Sequence, residues 1–357
     1  MNKLDDLALY KKIEETKVLL SIKLLADQVE QAWDEVSKME MPEGCSLAKN
    51  VVVCGMGGSA LGGRIVDSLK QQKARTPIEV FTENHLPKYV SRDTLVVVSS
   101  YSGNTEETLA AYEEAKAQGA QIFGIATGGK LAELLKKNGD TKYIIDPKNN
   151  PSGQPRLGLG YSIAAILAVL AKCEFIANSD EEMRGAIKTL RKLLSDFAPD
   201  CDMNVNVAKK LAWELKDKSI FMVGSEHLVG VAHAVKNQLN ETAKTFSGLF
   251  DLPELNHHLM EGLRNPAPIR EHMKFLMFES ELYDERIKMR YPITKEVLVK
   301  NEVSVIVYEA GAETRLGQVF EVLALGSFLA LYLAVIYGVD PSEIPWVDYF
   351  KQRLAKS

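Results

Sequence analysis

From Asn50 onward, short apolar runs rich in β-branched residues alternate with stretches of helical periodicity. Val51-Val52-Val53-Cys54 predicts a buried strand, followed by glycines and a helix over 60–70. Residues 78–81, 94–99, 121–126 and 142–145 predict further strands, with helices over 105–118 and 131–137 between them. Strands that are apolar along their whole length, separated by helices, imply a parallel sheet covered on both faces.

A loop rich in Pro and Gly, PKNNPSGQPRLGLGY, interrupts this pattern at 147–161. Two helical stretches follow, 162–177 and 179–197, the second linking the halves. Alternation then resumes with a strand at 219–223, a helix at 229–242, strands at 275–279 and 303–308, and a long helix at 314–337. The junction SIFMVGSEHLVGVAH has the layout of the earlier VVVCGMGGSALGGRI, so the two halves read as copies of one α/β architecture. The expected organisation is a helical segment at 1–24, a first unit at 25–161, a helical linker at 162–198, a second unit at 199–340, and a C-terminal segment at 341–357.

A length of 357 residues fits this count of two, at roughly 150 residues per domain. With 46% apolar and 25% charged residues the composition is that of a folded chain, not a disordered one. A net charge of −5 argues against a dedicated nucleic-acid binder. The four cysteines are too few and scattered for a disulfide scaffold, and none forms a C-x-x-C pair. The charged, amphipathic N-terminus has no apolar signal core. The longest apolar runs, 163–171 and 328–336, fall short of a membrane span. The expectation is a cytoplasmic protein with neither nucleic acid nor membrane as partner.

In open parallel sheets, chemistry gathers beyond the carboxyl ends of the strands, and three junctions of the first half stand there. Gly55-Met56-Gly57-Gly58-Ser59-Ala60 offers a tight turn and free N–H groups at a helix N-terminus, a seat for phosphate. The same residues satisfy the dinucleotide pattern G-x-G-x-x-A, and a plain packing turn also explains them. In Ser99-Ser100-Tyr101-Ser102-Gly103-Asn104-Thr105-Glu106-Glu107, the hydroxyls of Ser100, Ser102 and Thr105 flank a glycine. Capping by Asn104 with Glu107 accounts for part of this run but not for hydroxyls on both sides of the glycine. In the third junction, prolines on either side of Gln154 stiffen the loop that carries Arg156. That arginine is either an oxyanion-stabilising group or a surface residue.

GMGGSA after the first strand, SYSGNTEET after the third and PRLGLGYS after the fifth together resemble the sugar isomerase (SIS) domain. With two such units in tandem, the chain resembles the bifunctional phosphoglucose/phosphomannose isomerase family from about residue 20 to its end. The resemblance implies two doubly wound, flavodoxin-like SIS domains. It also implies a sugar-phosphate substrate seated by Gly58, Ser59, Ser100, Ser102 and Thr105.

In the second half, the resemblance implies that Glu241, in Asn240-Glu241-Thr242-Ala243-Lys244, moves a proton between C1 and C2. From the residues alone, Glu241 reads as a solvated helical carboxylate paired with Lys244. His257, sixteen residues on, matches the family's ring-opening histidine, which reaches the site of a neighbouring subunit; the adjacent His258 competes for that role. Lys351 matches the lysine that helps open the ring. Ile344 stands where the family usually has Thr or Ser before the proline, which puts acceptance of both C2 epimers in question. Arg156 would stabilise a cis-enediol(ate). The expected protein is a homodimeric aldose-ketose isomerase without redox cofactor or metal, since His257, His258 and Glu261 lack H-E-x-x-H spacing. A sugar-phosphate-binding protein without catalysis, or an isomerase acting on another phosphosugar, is the alternative.

Overall fold

The computed structural model describes residues 3–70, 74, 76–177 and 179–354. Helices α1 (Leu7–Glu14), α2 (Val18–Lys23) and α3 (Leu25–Ser37) open the chain. The first sheet follows: β1 (Asn50–Cys54), β2 (Ile78–Phe81), β3 (Thr94–Ser100), β4 (Gln121–Ala126) and β5 (Thr141–Ile144). All pair in parallel in the order β2-β1-β3-β4-β5, the flavodoxin-like order. Side chains alternate across the strands, so both faces need cover. Val51, Val53, Leu95 and Val97 enter the large core shared with α4 (Gly58–Lys70) and α7 (Leu159–Lys172). Val52, Cys54, Val96 and Val98 meet Ala111 and Tyr112 of α5 (Glu106–Ala117) and Leu131 and Leu135 of α6 (Gly129–Lys137).

After α8 (Asp180–Asp196) and α9 (Val207–Leu215), a second sheet is built from β6 (Ser219–Gly224), β7 (Ser247–Asp251), β8 (Met273–Glu279) and β9 (Ser304–Glu309). Its order, β7-β6-β8-β9, is parallel throughout and repeats the order of the first four strands. Helices α10 (Val229–Thr242), α11 (Leu259–Gly262), α12 (Ile269–His272), α13 (Glu285–Lys300), α14 (Arg315–Tyr337) and α15 (Pro345–Leu354) complete the chain. α10 packs against both α4 and α14, so helices of the two halves share one hydrophobic core. The stretch 162–198 contributes to it: α7 is buried along most of its length, and α8 packs on α14.

Several features depart from the sequence-based reading. α3, β7, α9, α11, α12 and α13 are additional; of these, Ser-Gly-Leu-Phe-Asp of β7 is short and polar at both ends and Pro292 sits inside α13, so neither of the two advertises its element. α5 is capped at Thr105, not Asn104; the Asn104 side chain instead accepts the Lys130 N–H at 3.1 Å. α14, at 23 residues, is long and apolar enough to cross a membrane, but its apolar window is wholly buried inside the protein. Two of the four cysteines pair: a disulfide joins Cys45, ahead of β1, to Cys173, at the end of α7, with Cα atoms 5.6 Å apart.

Candidate active site

Strand order reverses between β1 and β3, and the two loops leaving these strands interlock. Ser59 Oγ, at the start of α4, accepts the Tyr101 N–H at 2.9 Å. Ser100 Oγ, at the end of β3, lies 3.0 Å from Thr105 Oγ1 and accepts the Gly103 N–H at 3.1 Å. Ser102 is exposed, and its Oγ accepts the Asn104 N–H at 3.3 Å. Hydroxyls of Ser59, Ser100 and Thr105 thus line one strand-end crevice, with Gly58 and Ser59 opening the helix N-terminus beside it. Such an arrangement favours an anion through N–H groups and the helix dipole.

Gly103 cannot be replaced freely. Its φ is +71°, and an added Cβ would sit 1.8 Å from the Gly128 carbonyl oxygen. Gly103→Ala is therefore expected to lower stability by about 2 kcal/mol or more. Denaturant unfolding checks this; a midpoint equal to that of the unsubstituted protein would contradict the tight loop packing.

The first half meets the second at Arg156, which is buried in the short 3-10 helix Pro155–Leu157 of the Pro- and Gly-rich segment. Its Nε donates to Thr242 Oγ1 at 3.1 Å, and one terminal nitrogen donates to Gln154 Oε1 at 2.9 Å. The other donates to the Pro341 and Ser342 carbonyls at 2.7 and 3.0 Å. The nitrogen facing Gln154 also lies 3.6 Å from Glu241 Oε2. One planar, permanently charged group thus ties the proline-rich loop, the end of α10 and the segment leading to α15.

Glu241 lies on the last turn of α10, where burial raises its carboxyl above the ordinary carboxylate range. Arg156, then Lys351, Lys236 and Lys244, oppose that rise. Burial in turn lowers the Arg156 pKa, with Glu241 and Asp340 opposing. A desolvated carboxylate beside a fixed cation is equipped for proton transfer next to developing negative charge. Lys351 stands on α15, exposed but electrostatically coupled to Glu241. His257 is different: it ends the short helix Glu254–His257 beyond β7 and is exposed, with no hydrogen bond joining it to Glu241 among the described residues. His258, also exposed, packs its ring 6.3 Å from Phe250. No group of three His, Cys, Asp or Glu able to hold a metal occurs among the described residues.

The structure brings forward residues that carry no motif. Thr242 and Gln154 hold Arg156, and Lys244 Nζ donates to the Asp340 carbonyl. Gln238 Nε2 donates to Ser327 Oγ at 3.0 Å and to the Arg156 carbonyl at 3.4 Å. Thr242 had one signal, its place beside Glu241.

Residues 46–178 match the SIS domain family, and residues 204–354 match the family described as the bacterial phospho-glucose isomerase C-terminal SIS domain. A bifunctional phosphoglucose/phosphomannose isomerase of Caldicellulosiruptor bescii is 35% identical over 340 residues, covering 94% of this chain and 98% of that protein. One from Aquifex aeolicus is 29% identical over 326 residues, covering 91% and 94%. Among solved structures, a hypothetical protein of Thermus thermophilus superposes with a TM-score of 0.75 at 18% identity, over 98% of this chain and 92% of that one, a likeness of fold. With two SIS units in tandem and a relative of this identity matched nearly end to end, the chain belongs to the bifunctional phosphoglucose/phosphomannose isomerase family.

Proposed function

We propose that the chain interconverts glucose 6-phosphate, and mannose 6-phosphate with it, with fructose 6-phosphate through a cis-enediol(ate). The observation that carries this reading is Glu241, a partly desolvated carboxylate 3.6 Å from the buried Arg156 guanidinium and facing the charge of Lys351. The phosphate is held by Ser59, Ser100, Ser102 and Thr105 with the N–H groups of the α4 N-terminus. Binding this remote group positions C1 and C2 for proton transfer. His257 and Lys351 open the sugar ring. Glu241 removes the C2 proton of the aldose and returns it to C1, and Arg156 faces the negative charge on the intermediate.

His257 enters from a second copy of the chain. Its exposure and its lack of a hydrogen bond to Glu241 within one chain support this, as does α15, which exposes Trp346 and Phe350 at 82% and 63%. Mixing Glu241→Gln and His257→Ala subunits is expected to restore about a quarter of full activity, since half the dimers are mixed and half their sites intact. If the histidine acts within its own chain, no activity returns.

A raised Glu241 pKa places the acid limb of the rate profile above the ordinary carboxylate range, because the base works only when ionised. Lys236 holds that pKa down. Lys236→Met is therefore expected to move the limb to higher pH with little change in the plateau; an unmoved or lowered limb would contradict the electrostatics. The function itself is tested by a coupled assay on fructose 6-phosphate that reads glucose 6-phosphate and mannose 6-phosphate separately. Formation of both supports the full reading despite Ile344. Formation of glucose 6-phosphate alone overturns the mannose arm, and formation of neither overturns catalysis.

A further inference from the structure

The first and second sheets can be superimposed by register. Cys54 pairs with Val98 at the end of β1, and Val223 pairs with Met277 at the matching place on β6. Three residues past each of these central-strand positions the backbone enters the left-handed region, at Gly57 with φ +51° and at Glu226 with φ +42°. The first is a glycine whose absent side chain would meet nothing within 4 Å. The second carries a carboxylate in a conformation that L residues adopt at a cost.

That carboxylate is fully engaged. Glu226 Oε1 accepts the N–H of Asp284, the N-cap of α13, at 2.8 Å. Asp284 holds the N-cap position of the helix after β8, as Thr105 does for the helix after β3, although only Asp284 accepts a hydrogen bond from its helix, from the Arg286 N–H. Glu226 Oε2 lies 3.2 Å from the Arg315 guanidinium, which also donates to the Leu282 carbonyl at 2.9 Å. Both side chains are mostly buried, at 14% and 24% exposure. A guanidinium and a main-chain N–H at the switch point of a parallel sheet are the groups that would receive an oxyanion, and here they receive one from the chain itself.

We infer that the carboxyl end of the second sheet is an oxyanion seat closed from within, with the Glu226 carboxylate in the place of a phosphate. This rests on the reading of the first-half crevice as a phosphate seat. Duplication would supply two seats at matching places in the two sheets, and a glutamate in place of glycine at one turn leaves one of them open. The second half is thereby free to serve through Glu241 and Lys351.

The test is a count of bound inorganic phosphate by isothermal titration calorimetry. Glu226→Gly suits the left-handed backbone, and Glu226→Ala serves if it does not fold. The expected result is one additional equivalent of phosphate relative to the unsubstituted protein, weakened about tenfold or more by Arg315→Met in the same background. A gain of one over a starting count of zero would support the closed seat while refuting the first-half seat. The converse substitution, Gly57→Glu, is expected to remove phosphate binding from the first half. A folded Glu226→Gly or Glu226→Ala protein with no added equivalent overturns the inference. So does failure of both variants to fold even in phosphate buffer.

Discussion

Glu241→Gln is expected to lower turnover of fructose 6-phosphate by about a thousandfold, the scale of a positioned general base. Gln keeps the shape of Glu but cannot take a proton. The fall should appear in kcat, with KM moved little, because the proposed phosphate seat, Ser59, Ser100 and Thr105, lies on the other half. The side chain is 31% exposed and makes its ion pair with Arg156 at 3.6 Å, so the fold does not hang on it. Near-normal turnover would assign the base elsewhere. A loss confined to KM would make Glu241 a binding group.

Arg156→Met is expected to strike stability and activity together. The side chain is 1% exposed and donates to Thr242, Gln154, Pro341 and Ser342. Met fills the space but leaves the buried Pro341 carbonyl and the half-buried Ser342 carbonyl without their donor, and Glu241 without its largest stabilising neighbour. A loss of about 3–5 kcal/mol follows from breaking such a buried charged network. Detachment of the 341–354 segment should accompany it, read as new proteolysis near Lys351 and Arg353. Arg156→Lys should recover little, since one ammonium cannot span four partners on three segments. Denaturation within about 1 kcal/mol of the unsubstituted protein would show that the network contributes little.

These effects rest on contacts that the sequence conveyed unevenly. The first sheet was legible because Val51-Val52-Val53 and Thr94-to-Ser99 are buried on both faces, and burial on both faces writes a continuous apolar run. β7 was not, because an edge strand of five residues with Gly248 and Asp251 writes no such run. The hydroxyl cluster was legible because its members lie within six residues and close on one another through local turns. Arg156 was visible only as a charge in a stiff loop. Its meaning comes from Thr242 and from Pro341, 86 and 185 residues away, and chemistry assembled over such distances leaves no local pattern. His257 was singled out by resemblance alone, and its exposed position in one chain is the reason the proposed site needs a second.

The central claim is proton transfer through an enediol(ate) by Glu241. It is tested most directly by following fructose 6-phosphate with the purified protein in deuterium oxide by proton NMR. The expected result is aldose 6-phosphate carrying deuterium at C2, because a proton held on a partly exposed carboxylate exchanges with solvent before it is returned; Glu241→Gln should abolish the signal. Aldose formed equally fast by Glu241→Gln, or deuterium still incorporated by that variant, would contradict it.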